Sequence, residues 1–321
     1  MKKKIKIIKI FLWVIIVFFI FINIVAYFHA YKFTHFDHSE NIKTKDAKHL
    51  TIGEKLKTLF SGVSNPRPSN KITPKQKYKT IKLKSNKEIE AWYIKNDSGK
   101  GTVILFHGYS GNKSSMLDKA VIFSELGYNT FLVDFMGSGG SEGNQTTIGF
   151  YEAEEVKTAY DYIRSLGEEN IILFGTSMGA VAIMKALSDF NIMPLSIIIE
   201  CPFETMLKTV QSRFTNIGIP SFPLANLLVF WGGFQNSFNA FKHNPIDYSK
   251  NISCPTLLLY GKLDEKVSSN EIDNIFQNLN GTKKLKIYPN AGHENYLLKY
   301  KNEWTTDVAD FLISLKKQVK Q

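Results

Sequence analysis

Apolar residues fall into three kinds of run along the chain, and each kind predicts a different element. The first, Ile10 to Phe28, is nineteen residues long with Asn23 as its one strongly polar member. At about 1.5 Å rise per residue it matches the roughly 30 Å core of a bilayer, which predicts a transmembrane helix over 10–28. The second kind alternates with polar positions, at Lys79 to Lys84 and Ile89 to Ile94. Such alternation predicts two strands, joined by a turn around Ser85 to Lys87. The third kind is short and unbroken: Val103 to Phe106, Thr130 to Val133, Ile171 to Phe174, Ser196 to Ile199, Thr256 to Tyr260 and Leu285 to Tyr288. Unbroken runs of this length suit strands buried on both faces of a parallel sheet.

Helical stretches separate the unbroken runs, one of them from Phe150 to Leu166 with Gly167 as its stop. Strand and helix in alternation predict a mostly parallel, doubly wound α/β sheet, with functional loops at the carboxyl ends of its strands. Residues 29–76 are polar and carry N-P-R-P and I-T-P, so they are expected to form a linker or stem with a short amphipathic helix near Ile52 to Phe60. Residues 77–321 are then a single catalytic domain, and the segment 202–251, too long for a simple crossover, is an insertion within it.

Charge changes the picture at one end only. Lys2, Lys3, Lys4, Lys6 and Lys9 precede the apolar helix, and without these five the net charge falls from +11 to +6, so nucleic acid is not an expected partner. Basic flanks resist translocation, which puts residues 1–9 in the cytoplasm and the catalytic domain on the far side of the membrane. A cleaved signal peptide is the alternative, but its apolar region runs about 7 to 15 residues and ends in small residues. Here the run is longer, and Phe28 occupies the minus-three position before Ala30. Two cysteines, Cys201 and Cys254, are too few for a disulfide framework, and the seven histidines are scattered, without a metal-ligand spacing. The lysines between Lys71 and Lys87 alternate with apolar residues, as on the solvated face of a strand pair.

The chemistry sits at three strand ends. Ser177 follows the Ile171 strand in G-T-S-M-G, Asp264 follows the Thr256 strand in G-K-L-D-E-K-V, and His293 follows the Leu285 strand in Y-P-N-A-G-H-E-N-Y. A strand that turns at once into a helix strains its corner residue, and Gly175 and Gly179 remove the side chains that would clash around it. Serine, acid and histidine, each after a strand, follow the chain order described for hydrolases of this architecture.

With F-H-G-Y-S-G and D-F-M-G-S-G-G-S-E-G added, the chain from about Lys77 to Leu315 resembles the α/β-hydrolase superfamily. It looks most like membrane-anchored bacterial serine hydrolases of the Bem46-like and serine aminopeptidase-like kinds. The resemblance implies Ser177 as nucleophile, His293 as base and Asp264 as acid, with the backbone N–H groups of Tyr109 and Met178 as the oxyanion hole. It also implies that 202–251 forms a helical cap over the nucleophile, whose aromatic residues, Phe203, Phe230 and Trp231 among them, would line an apolar substrate pocket. Glu200, after the Ser196 strand, is the competing acid, Asp134 a structural residue, and His107 a loop-shaping one. Met136 stands where many relatives carry arginine, which leaves an ion pair expected at Asp134 without its usual partner.

The reaction so implied is hydrolysis of a carboxylic ester through an acyl-enzyme, with no cofactor and no metal. A lipid-like or small hydrophobic ester is the expected substrate, and the membrane is the other partner. A serine peptidase, for which Glu204 is the early cap acid, an acyltransferase and a non-catalytic interaction domain remain open alternatives on the sequence.

Overall fold

The computed structural model describes residues 2–37, 44, 51, 53, 54, 58 and 62–318. The amphipathic helix expected at Ile52 to Phe60 lies, apart from Gly53, Glu54 and Thr58, outside the described residues.

The first element, α1, runs from Lys2 to Thr34 as one 33-residue helix. It is about 50 Å long at 1.5 Å per residue, and so exceeds the expected 10–28 span at both ends. No glycine or proline interrupts Lys2 to Thr34, so nothing ends the helix where the apolar run ends. The most apolar stretch of α1 is wholly exposed, and by length and composition it can cross a membrane.

The two alternating runs form β1 (Tyr78–Lys84) and β2 (Glu88–Ile94), an antiparallel pair at one edge of the sheet. Six further strands follow: β3 (Thr102–Phe106), β4 (Asn129–Asp134), β5 (Ile171–Thr176), β6 (Ser196–Glu200), β7 (Thr256–Gly261) and β8 (Lys283–Tyr288). The eight strands lie in the order β1-β2-β4-β3-β5-β6-β7-β8. Strand β2 is antiparallel to both of its neighbours, and β3 to β8 are parallel to one another. Central strands β3, β5, β6 and β7 are buried almost throughout, which is why their sequences read as unbroken apolar runs.

Helices cover both faces. On one side α3 (Glu152–Ser165) and α4 (Met178–Asp189) seal a core containing Ile104, Leu173, Val181 and Ile197. On the other, α2 (Leu117–Glu125) and α10 (Lys301–Gln318) seal one containing Phe123, Phe174, Leu257 and Trp304. Helices α8 (Ser269–Asn278) and α9 (Tyr296–Lys299) complete the layers.

Between β6 and β7 the chain forms the cap, made of α5 (Met206–Thr215), α6 (Leu224–Gln235) and the short α7 (Pro245–Ser249). Its buried His243 contacts the Tyr248 hydroxyl at 3.0 Å and the Ile148 carbonyl oxygen at 3.0 Å, tying the cap to the loop before α3. Burial pushes the His243 pKa down to about 4, so the contact is made by a neutral ring. Helix α1 packs along α6, with Ala26, Ala30 and Thr34 buried one turn apart on a single face.

The polar segment before β1 is fastened to the domain. Arg67 donates from Nη1 to the Gly139 carbonyl at 2.9 Å, from Nε to that of Gly143 at 3.1 Å and from Nη2 to that of Ser141.

Candidate active site

Ser177 stands at the corner between β5 and α4 with φ 52° and ψ −111°. A side chain there is strained, and the surrounding glycines show what holds the corner tight. A Cβ on Gly179 would lie 2.4 Å from the Phe106 carbonyl oxygen, and one on Gly175 2.6 Å from the Gly179 backbone. No other residue fits at either position, because both contacts are with backbone. The corner is also pinned from the neighbouring strand, where the Ser177 N–H donates to the Glu200 carbonyl at 2.8 Å.

The turn brings Ser177 to His293, whose Nε2 is 3.0 Å from the serine Oγ. Nδ1 of the same ring is 2.7 Å from Asp264 Oδ2. The other carboxylate oxygen, Oδ1, accepts from the backbone N–H groups of Lys266 at 2.8 Å and Val267 at 3.0 Å, so the loop after β7 fixes the carboxylate plane. The Asp264 side chain is fully buried, whereas that of His293 keeps 19% of its surface. Burial alone would lower the His293 pKa, but Cys201 and Asp264 beside the ring outweigh it and raise the value above that of an ordinary imidazole.

Cys201 is a neighbour that the sequence did not single out. It is buried at the end of β6 with φ 41°, and its Sγ lies within 4.8 Å of ligand atoms of Asp264 and His293. Both ring nitrogens and both carboxylate oxygens already have partners, so this cluster is a hydrogen-bonded array with a thiol against it.

Glu200, the competing acid, points elsewhere. Its carboxylate accepts from the Trp304 indole at 2.8 Å and the Thr176 hydroxyl at 2.9 Å, and Lys119 Nζ is 3.9 Å away. His107 is buried, and its Nε2 accepts from the Phe135 N–H at 3.1 Å, so Nδ1 carries the proton donated to the Gly108 carbonyl at 2.9 Å. Burial lowers its pKa, as suits a neutral loop-shaping residue.

Asp134 does have a cationic partner despite Met136. Lys113, wholly buried, is ion-paired with it and with Glu90 at 2.7 Å, and the Lys113 backbone N–H donates to Asp134 Oδ1 at 2.6 Å. The charge expected from an arginine at 136 comes here from a lysine 21 residues before Asp134, which no local motif signals.

The loop after β3 brings Gly108 against Ser177: a Cβ on Gly108 would lie 3.7 Å from the Ser177 Cβ. Next to it, Tyr109 is locked by its side chain. The phenol donates to the Phe33 carbonyl of α1 at 2.7 Å and accepts from Asn65 Nδ2 at 2.8 Å. Its ring stacks on Phe33 at 4.7 Å, and Arg213 of α5 lies over both rings. Burial raises the phenol pKa, so it stays a neutral donor. Met178 opens α4, where the first N–H groups have no helical acceptor and face the corner.

The aromatic residues expected in a pocket are divided. Phe203 is buried against His243, while Phe230 and Trp231 cluster with Phe234 beside α1.

Residues 114–318 match the sequence profile of the prolyl oligopeptidase family. Among curated proteins, the uncharacterized protein YqkD of Bacillus subtilis is 24% identical over 229 residues, covering 70% of this chain and 75% of that one. The lysophosphatidylserine lipase ABHD12 of Danio rerio is 26% identical over 189 residues, 55% of this chain and 47% of that one. Among solved structures, the Pyrococcus furiosus esterase Pf2001 superposes with a TM-score of 0.65 at 24% identity, covering 78% of this chain and 96% of that one.

Proposed function

The chain belongs to the prolyl oligopeptidase family and has the α/β-hydrolase fold, and from that premise we propose that it is a membrane-anchored serine hydrolase that cleaves carboxylic esters. The observation that carries this reading is the unbroken line from Ser177 Oγ through His293 to Asp264, at 3.0 and 2.7 Å. In the reaction, His293 Nε2 takes the Ser177 proton as the oxygen attacks the ester carbonyl. Asp264 holds the Nδ1–H tautomer and stabilises the imidazolium that forms. The backbone N–H groups of Met178 and Tyr109 receive the oxyanion, and the alcohol leaves with the proton from His293. Water then attacks the acyl-Ser177, losing its proton to His293, which passes it to Ser177 Oγ as the acid is released.

The family description favours a second reading, hydrolysis of a peptide bond by the same three residues. Glu204, the cap acid that would anchor a peptide amine, is already paired with Lys208 at 2.7 Å and lies 3.4 Å from Asn274 Nδ2, which weighs against it. Helix α1 is the membrane anchor in this proposal, with the lysine-rich end in the cytoplasm and the catalytic domain outside.

Two panels test the choice: p-nitrophenyl esters of rising chain length, and aminoacyl amides. Ester turnover exceeding amide turnover by orders of magnitude, rising with acyl length, supports the proposal. Preference for the amides would replace it with the peptidase.

A further inference from the structure

The outer side of α6 has no part in the chemistry just described, and its composition asks for a partner. Its twelve residues, LANLLVFWGGFQ, include no charge. Ala225, Val229 and Gly233 are buried, whereas Phe230 and Phe234 are 49% and 67% exposed. Phe230, Trp231 and Phe234 form one aromatic cluster, continued on α1 by Tyr27, whose ring meets Trp231 edge-on at 5.3 Å.

Two hydrogen bonds set the level of this cluster along α1. The Trp231 indole N–H donates to Asn23 Oδ1 at 3.2 Å, and Gln235 Nε2 donates to the Tyr27 carbonyl at 2.8 Å. Asn23 is the one strongly polar residue inside the apolar run, and it lies five residues before Phe28, where the run ends. Five residues of helix are about 7–8 Å. Helices that lie in a membrane surface bury their apolar side about 5–10 Å into the boundary of headgroups and acyl chains. The indole is therefore held at the depth of an interfacial helix, provided that α1 crosses the membrane as proposed above.

We propose that α6 and the last turns of α1 form one membrane-interface surface, with Trp231, Phe230 and Phe234 seated in the leaflet on the catalytic side. The lipid occupant follows from continuity, since the exposed aromatic side of α6 extends the exposed apolar surface of α1 at the same level. Trp231 also closes a shallow groove of about 350 Å³ with Phe19, Ile20, Ile24 and Phe28 of the apolar run. The loop after β3 is attached further along α1, where Phe33 in its last turn, ten residues after Asn23, stacks on Tyr109.

The test places a nitroxide on the full chain in phosphatidylcholine vesicles, at Phe234→Cys and, separately, at Val17→Cys in the middle of α1. A Cys254→Ser background is used, Cys201 being buried. Collision with oxygen and with a water-soluble nickel chelate is measured at each label. The expected result is a several-fold excess of oxygen over nickel at both labels, smaller at Phe234→Cys than at Val17→Cys. Oxygen excess at Val17→Cys with free nickel access at Phe234→Cys overturns the interface and leaves the anchor standing. Nickel access at both overturns the anchor and the interface together. Shielding of Phe234→Cys from both reagents would mean that protein covers α6, a second copy for instance, and also overturns the proposal.

Discussion

At residue 264 the carboxylate is fully buried yet accepts three hydrogen bonds, from His293 and from two backbone N–H groups. Asp264→Asn keeps the shape but offers Nδ1 the wrong partner, and kcat is expected to fall on the order of 10⁴-fold. Glu200→Gln removes a charge that serves Trp304 and Thr176, so kcat should stay within a few-fold of the parent. Steady-state ester kinetics on the two variants checks the ranking, and the reverse order would move the acid to β6. The pH profile belongs to the same scale. As the proposed base, His293 acts only when neutral, so activity is expected to fall as pH drops through its pKa, and the raised value puts the acid limb above the ordinary imidazole range near 6.5. Cys201→Ala removes one of the two groups that raise it, so the acid limb of kcat/KM should move to lower pH. A limb that does not move would mean that the thiol has no influence on the ring.

Elements were legible in the sequence wherever burial is symmetric. All eight strands lie within two residues of the runs that announce them: the central ones because strands covered on both faces must be apolar throughout, and β1 because its open face keeps the alternation, whereas β8, KKLKIY, is only partly covered. The corner at Ser177 was equally legible, since only glycine fits at 175 and 179. The length of α1 was not, because hydropathy stops at Phe28 while the backbone has no reason to stop. Neither were the contacts of Lys113 with Asp134, of Asn65 with Tyr109 or of Trp231 with Asn23. Each joins residues whose nearness only the tertiary fold creates. One such contact yields a stability prediction. Trp304 on α10 donates to the buried Glu200, so Trp304→Phe leaves a carboxylate short of a donor and should lower the unfolding free energy by about 1.5–3 kcal/mol. Urea titration checks this, and an unchanged midpoint would show that the bond contributes nothing.

For the molecule as a whole, the sheet sets the distance between the two thiols, and the proposed anchor sets what a protease can reach. Cys201 leaves β6 at its carboxyl end, level with Leu259, and Cys254 precedes β7 at the other end. Five strand residues at about 3.3 Å each separate them, well beyond the roughly 7 Å between Cα atoms that a disulfide tolerates. Thiol titration of the denatured, unreduced protein should therefore count two, even from an oxidising compartment, and a recovered Cys201–Cys254 crosslink would contradict the β6–β7 register. Protease added outside spheroplasts should digest the catalytic domain and spare the Lys2 to Lys9 tail, whereas full protection would reverse the orientation. The account as a whole rests on one oxygen atom. Fluorophosphonate treatment of the full-length protein, followed by peptide mass mapping, should find a single adduct on Ser177. Ser177→Ala should lose both the adduct and ester turnover by several orders of magnitude. An adduct on another serine, or turnover that survives in Ser177→Ala, would contradict it.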